Sequence, residues 1–196
     1  HVMEIEDPSV FIEGFRALKK EGFIREYGIS TDSLSVLKRF YEMSDGECSV
    51  VEVEYSIANI APERGLLDYC KEKNLGILVR GPLGQGIVSG KYDLDTVFTD
   101  MVRCHYNKGG KWRAKYEYQI AIMDALKKEF GPDRDYTKMA LSYVISHELH
   151  PVAIPGAKSV EQAKWNAAVG NEYLSEEELK SIRDIVHSVI KEDFSA

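Results

Sequence analysis

Apolar residues recur along this chain in two periods. Between residues 8 and 22, Phe11, Phe15 and Leu18 stand at helical spacing, and Gly22 marks a C-terminal stop. Residues 24–29 read as a first strand. Ser30-Thr31-Asp32-Ser33 follows and can cap a helix through Leu34, Leu37 and Tyr41. A second strand is predicted over residues 49–55, and Pro62 opens a helix holding Leu66, Leu67 and Cys70. The third strand is 75–80. A long polar excursion with Gly109-Gly110 comes next, then a helix on Tyr116, Ile120, Met123 and Leu126. Thr137 begins another helix through Tyr143-Val144, and residues 151–154 form a short fourth strand. Ser159-Val160-Glu161-Gln162 and Ser175-Glu176-Glu177-Glu178 have the form of capping boxes for the last two helices. The final helix presents Leu179, Ile182 and Val186 on one face. Strands separated by helices imply a parallel sheet and an α/β class. A closed eight-stranded barrel needs about 200 residues or more. The pattern alone therefore leaves an open four-stranded sheet as the alternative.

Composition narrows the setting. A chain of 196 residues can form one domain with a sizeable core, and residues 1–196 are read as a single unit. Hydrophobic residues at 44% and charged residues at 29% are those of a soluble globular protein. A net charge of −7 argues against nucleic acid or an anionic membrane as the main partner. Cys48, Cys70 and Cys104 are odd in number and lack metal spacing, which suits a reduced, cytoplasmic setting. No run reaches membrane-spanning length and no signal-peptide pattern opens the chain. Met3 is a candidate start, which would make His1-Val2 a remnant.

The most informative stretch is Gly81-Pro82-Leu83-Gly84-Gln85-Gly86-Ile87-Val88-Ser89-Gly90-Lys91, directly after the third strand. Glycines allow positive φ and close backbone approach, and exposed N–H groups with a following lysine suit a phosphate. An ordinary strand-to-helix loop is the plainer reading. The stretch is neither a P-loop nor a Gly-x-Gly-x-x-Gly fingerprint opening a helix.

Taken together, six segments resemble the aldo-keto reductase family over nearly the whole chain. They are Gly22-Phe23-Ile24-Arg25-Glu26-Tyr27-Gly28-Ile29-Ser30-Thr31, Glu52-Val53-Glu54-Tyr55, and Pro82-Leu83-Gly84-Gln85-Gly86 with Gly90-Lys91. Then come Asp100-Met101-Val102-Arg103, Ile154-Pro155-Gly156-Ala157-Lys158-Ser159 with Gln162 and Asn166, and Leu174-Ser175-Glu176-Glu177. The resemblance implies a (β/α)8 TIM barrel of which this chain supplies the C-terminal half, strands five to eight. It also implies NADP(H) bound extended across the C-terminal ends of those strands, where barrel sites lie. Ser30 and Thr31 match positions that hold the nicotinamide carboxamide. Gly81, Pro82, Leu83, Gly84, Gln85 and Lys91 match the loop over the pyrophosphate, and Arg103 matches a phosphate-side arginine. Gly156, Lys158, Gln162 and Asn166 match contacts to the adenosine end.

Some positions depart from the family's pattern. Glu52 stands where many members have a glutamine that bonds the carboxamide; a carboxylate can accept from its NH2 but cannot donate to its oxygen. Arg80 stands where many have an aromatic ring on the nicotinamide. A guanidinium plane can stack there too, or meet an acidic substrate group. Trp165 replaces an acidic residue that often reads the adenine. The family's chemistry is hydride transfer to a carbonyl, with a tyrosine as proton donor tuned by a lysine, an aspartate and a histidine. The aspartate, tyrosine and lysine belong to the first half of such a barrel. His1 falls at the position of the catalytic histidine, and a leading His is also what a tag leaves. None of the 11 tyrosines matches the proton donor.

Plainer readings stand beside the sharp ones. Gln162 is explained by its capping box alone, and Lys158 at a helix start is explained by solvation or by a bound anion. His147-x-x-His150 reads as the end of a surface helix rather than a metal site, and no metal is expected. Arg103-Cys104-His105 reads as a loop with an ordinary cysteine. Three functions are compatible with these residues. The first is an NADP(H)-dependent reductase of small aldehydes or ketones, with this chain as its cofactor-binding half. The second is a non-catalytic nucleotide-binding or regulatory subunit, since Gly86-Ile87-Val88-Ser89-Gly90-Lys91-Tyr92-Asp93 resembles the β subunits of voltage-gated potassium channels. The third is a structural half-barrel. Two open sheet edges and a concave face read as apolar predict a homo-oligomer or pairing with the N-terminal half.

Overall fold

The computed structural model describes residues 7–189. Its centre is a four-stranded parallel sheet in the order β1-β2-β3-β4, with strands at Gly28–Ser30, Val50–Glu54, Gly76–Arg80 and Val152–Ala153. Register is set residue by residue: Ser30 lies beside Glu52, Glu52 beside Leu78, and Leu78 beside Val152. The first strand is shorter than the apolar run suggested and lies nearer its end. Its partner begins at Val50, so the residues before Gly28 have no ladder to join; the Tyr27 carbonyl accepts from Ser49, from its N–H at 3.0 Å and from its Oγ at 3.1 Å. Gly28 is required by space. A Cβ there would sit 1.8 Å from the Val50 carbonyl oxygen.

Helices back one face of the sheet. They are α1 (Ser9–Lys20), α2 (Leu34–Met43), α3 (Leu66–Lys73), α4 (Arg113–Phe130), α5 (Tyr136–Ile145), α6 (Val160–Ala168) and α7 (Glu176–Val189). Pro62 opens only a 3-10 turn, Ala61–Glu63; α3 starts later because Gly65, at φ +104°, breaks the path between them. α5 starts at Tyr136, one residue before Thr137, and Asp135 caps it, its carboxylate accepting from Lys138 N at 3.0 Å. In α1 the buried edge is Ile12, and Phe15 stacks on Tyr27 at 5.1 Å. Phe11 and Leu18 are exposed, since the helix meets the core only along that edge.

Alternation along the strands separates two faces. Ile29, Val51, Val53, Ile77 and Val79 point into the main core with Leu66, Leu67, Met139, Tyr143, Leu179 and Ile182. The other face carries Gly28, Ser30, Val50, Glu52, Glu54, Gly76, Leu78, Arg80 and Val152. The expectation of an apolar concave face is thus corrected. Val50, Leu78 and Val152 are apolar, but toward the strand ends the face is charged.

The excursion between Lys91 and Trp112 is organised, not merely polar. Ile87, Phe98, Tyr106, Tyr116 and Ile120 make a second core, with Tyr92 and Trp112 packed on it. Phe98 meets the Tyr116 ring edge-on at 5.5 Å, and Tyr106 stacks on it at the same distance. So α4 serves two cores: Tyr116 and Ile120 belong to the aromatic one, Met123 and Leu126 to the main one.

Candidate functional site

The C-terminal ends of β1, β2 and β3 gather charge. Arg80, the last residue of β3, donates from Nη1 to Glu54 Oε2 at 3.2 Å and from Nη2 to the Asp32 carboxylate. Lys115 of α4 reaches Glu54 Oε1 at 2.9 Å, and Asp32 Oδ1 accepts from Glu54 N at 2.7 Å. Burial works to raise the Glu54 carboxyl, but Lys115 and Arg80 outweigh it and hold the group below the ordinary carboxylate range. The Arg80 guanidinium is therefore already paired with two carboxylates, while its buried Nε has no hydrogen-bond partner among the described residues. Asp32, Glu54 and Lys115 are additions to the site. Alternation placed Glu54 on one face with Glu52 and Arg80, whereas Lys115 lies far along the chain and gave no signal. Beside this cluster, Ser30 and Glu52 share a row of the sheet. The Thr31 hydroxyl is buried and accepts from Ser33 N at 3.1 Å, so it shapes the turn before α2.

The glycine-rich stretch forms two short 3-10 turns joined by a kink, Gly84–Ser89, rather than a loop opening a helix. Positive φ occurs at Gly81, Gly84, Gln85, Gly86 and Gly90. Two of the amides expected to face an anion are committed internally: Gly84 N donates to Gly81 O, and Gly86 N to Leu83 O, both at 2.8 Å. Gly84 is buried, and a Cβ there would lie 3.3 Å from Gln119 Nε2. Its small size serves packing under the turn as much as any ligand. Gly81, Pro82 and Gln85 build the same turns, which lead from the charged cluster to Lys91.

Beyond the turns lies a groove of about 490 Å³. Leu83, Lys91, Gly156, Gln162 and Asn166 line it, brought together from β3's loop and from the segment leading into α6. Ser89, Arg134, Asp135, Tyr136, Thr137 and Trp165 complete the lining. Of these, the start of α5 was not predicted from sequence. It is 40 residues or more from the glycine stretch in the chain, and only the fold unites them.

Other expectations are placed elsewhere or altered. Arg103 does not line the groove; its Nε bonds Asp100 Oδ2 at 2.8 Å and its Nη1 bonds Tyr92 OH at 2.7 Å. Its guanidinium lies 5.0 Å from the Phe98 ring, so it staples the aromatic core. Lys158 is exposed at the mouth of α6, outside the lining. Gln162 Oε1 accepts from Lys158 N at 2.7 Å, so the capping box closes one residue further back than Ser159. His1 lies outside the described residues. His147 is buried in the core rather than on a helix surface; its Nδ1 accepts from Leu149 N at 3.2 Å, and burial lowers its pKa. Among the described residues no three His, Cys, Asp or Glu side chains converge as a metal site requires, and no helix is long and apolar enough to cross a membrane.

An apolar groove of about 520 Å³ runs beside β4, between α5 and α6, lined by Leu141, Ile145, Pro151, Val152, Ala163, Ala167 and Tyr173 among others. Val152 in its lining is exposed, as is Ile154 just past β4, and the outer edge of β4 has no partner strand among the described residues.

Comparison with known proteins bears on this arrangement. The uncharacterized oxidoreductase YqkF of Bacillus subtilis is 29% identical over 173 residues, 88% of this chain and 53% of that protein. The NADH-specific methylglyoxal reductase of Escherichia coli is 24% identical, covering 88% of this chain and 52% of its own. Aldo-keto reductase yakc [NADP(+)] of Schizosaccharomyces pombe is 26% identical, with shares of 86% and 51%. The chain thus spans about half the length of the curated relatives it matches. Among solved structures, the glycerol dehydrogenase AKR11B4 from Gluconobacter oxydans superposes with a TM-score of 0.76 at 25% identity, over 99% of this chain and 60% of that one. Four parallel strands with their helices are accordingly part of a (β/α)8 barrel arrangement. A family model described as the aldo/keto reductase family matches residues 5–187, and the chain belongs to that family.

Proposed function

We propose that this chain is the cofactor-binding half of an NADP(H)-dependent reductase of small aldehydes or ketones. The observation that carries the reading is the groove beyond β3. Five residues that the family resemblance assigns to the cofactor line one cleft, although 65 positions separate Lys91 from Gly156. The donor set fits a dinucleotide phosphate: Lys91 and Arg134 supply positive charge, and Gly156 leaves open backbone. When bound, the nicotinamide supplies the hydride. Toward it, Ser30 and Glu52 offer hydrogen-bonding side chains on the concave face, and Lys91 neutralises phosphate charge. Arg80 is held at the strand ends by Asp32 and Glu54.

The proton donor is a different matter. No tyrosine stands on the concave face of the four strands. Tyr55, just past β2, points the other way, and its O–H donates to Glu63 Oε1 at 2.5 Å; burial pushes its pKa far up. His105 packs edge-on against Trp112 at 4.9 Å. General-acid help is typically worth 10²–10⁴-fold, so in our reading the chain alone binds cofactor without turning over. A second copy or the N-terminal half is the partner expected to cover the edges of β1 and β4, and the free cysteines suit a reducing compartment such as the cytoplasm.

The test is steric. At Gly156 an added Cβ meets nothing within 4 Å, and its φ is an ordinary one, so Gly156→Val should keep the melting temperature while filling the groove. NADPH titration is expected to show at least about tenfold weaker binding, equivalent to roughly 1.4 kcal/mol. Unchanged affinity would remove the groove from the cofactor site. In the same preparations aldehydes and quinones should stay unreduced until a fragment carrying the first four strands is added; turnover without it would contradict the account of the acid.

A further inference from the structure

We propose that the Glu52 carboxylate makes the site discriminate between the two redox states of the cofactor, so that this chain holds NADP+ more tightly than NADPH. The inference rests on the cofactor reading above and adds a preference that an uncharged side chain at this position would not give.

The ligand's own charge is the first argument. NADP+ and NADPH carry the same phosphates and differ at the nicotinamide, which is cationic when oxidised and neutral when reduced. A carboxylate on the face that receives the ring favours the cationic state and is nearly indifferent to the neutral one.

The second argument is that nothing on the sheet cancels this carboxylate. Glu52 is the middle residue of β2, with Ser30 beside it on β1 and Leu78 beside it on β3, neither of them charged. The cations of this face are committed two residues further along. Lys115 Nζ lies 2.9 Å from Glu54 Oε1 and Arg80 Nη1 lies 3.2 Å from Glu54 Oε2, while Arg80 Nη2 takes Asp32. The Glu52 carboxylate has no hydrogen bond or ion pair among the described residues. Asp32, Glu52 and Glu54 thus set three carboxylates against the two cations, and the uncompensated charge rests on Glu52.

The third argument is placement. Glu52 is partly buried in the middle strand of three, rather than carried on a mobile loop. Low exposure weakens solvent screening, so a fixed charge there acts on a neighbouring cation more strongly than a surface carboxylate would. Hydride loss is what creates the ring's positive charge. The same interaction therefore favours hydride donation to a carbonyl carbon while the cofactor is bound.

The experiment titrates NADP+, NADPH and adenosine 2′,5′-bisphosphate by calorimetry into the wild-type chain, Glu52→Gln and Glu52→Asp, with a thermal melt of each. Glu52→Gln should weaken NADP+ relative to NADPH by about tenfold, and Glu52→Asp should keep most of the wild-type ratio. The bisphosphate has no nicotinamide and should bind all three proteins within about twofold of one another. Phosphate contributions cancel in the ratio of the two redox states, so added salt should shrink that ratio in the wild type and leave it unchanged in Glu52→Gln. The salt series on the wild type alone keeps the test decisive should the glutamine variant melt early. A wild type that binds both redox states equally, a Glu52→Gln variant that keeps the wild-type ratio, or a wild-type ratio insensitive to salt overturns this inference and leaves the groove reading standing. Weaker bisphosphate binding in Glu52→Gln also overturns it, since the effect would then not act through the ring. A wild type that binds none of the three ligands overturns both readings.

Discussion

α6 and α7 begin alike and end in opposite surroundings. Ser159 accepts from Gln162 N at 3.2 Å at the start of one, and Ser175 accepts from Glu178 N at 3.2 Å at the start of the other. α7 then buries Leu179, Ile182 and Val186 and packs along α4. α6 buries none of its residues. The difference lies in what the faces carry. Aliphatic side chains three and four apart give α7 a stripe for the core, whereas α6 offers Ala163 and Ala167 to the apolar groove and Gln162 and Trp165 to the polar one. Local signals fix where a helix starts; they do not say whether its neighbour is in the same segment of chain. α7 is held from within. α6 is a wall, facing a proposed ligand on one side and the open edge of β4 on the other.

The largest test of that contrast is truncation of one side chain in each helix. Ile182→Ala removes a fully buried group and should cost about 2–5 kcal/mol. Val160 is 63% exposed, and Val160→Ala should stay within about 0.5 kcal/mol. Urea denaturation of the two variants measures both. Comparable losses would mean that α6 is packed in solution, as it would be with a partner over β4.

Polar groups divide the same way. On the α7 side, Tyr55 and Tyr143 both donate to Glu63 Oε1, at 2.5 and 3.0 Å, and Arg183 of α7 belongs to the same group. Burial works to lower the Arg183 pKa, but Tyr143 and Glu63 prevail and raise it. On the α6 side, Tyr173 is 60% exposed. Tyr143→Phe should therefore cost about 1.5–3 kcal/mol, the range for a hydrogen bond to a charged group, and Tyr173→Phe close to nothing. Equal and small effects would show that the buried group contributes shape rather than energy.

How much of this was legible beforehand depends on range along the chain. Strand alternation at Val51, Val53, Ile77 and Val79, the helix starts, and the groove residues Leu83, Lys91, Gly156, Gln162 and Asn166 are local patterns or family-matched positions. The alternation came through with strand ends adjusted by pairing, the helix starts with those of α3 and α5 shifted, and the groove residues line one cleft. Groups assembled from distant segments did not. Lys115 on Glu54, Arg134 in the groove, and Tyr55 with Tyr143 on Glu63 depend on contacts between residues 8 to 80 apart. The aromatic core under the 91–112 excursion was missed for another reason: its rings are spaced irregularly, without the period of a helix or strand. Arg103 is the reverse case, a residue matched by position whose partners here, Asp100 and Tyr92, are local.

The finest test concerns the two capping serines. Removing an N-cap hydroxyl typically costs about 1 kcal/mol. In α7 that loss should appear in global stability, because the helix cannot fray without uncovering Leu179 and the core beneath it. In α6 the same lost bond loosens a helix that buries nothing, so Ser159→Ala should leave the urea midpoint where it was. Local opening can still be seen by amide hydrogen exchange, which reports fluctuations well below global unfolding. Ser159→Ala is expected to speed exchange across Ala163, Lys164 and Trp165 alone, and Ser175→Ala to shift the whole transition. Saturating NADPH should slow exchange in α6 and leave α7 as it was, since a ligand that binds the closed form stabilises only what it touches. Protection of both helices alike, or a Ser159→Ala variant as destabilised as Ser175→Ala, would erase the distinction between a helix held by the core and one that lines the proposed cofactor groove.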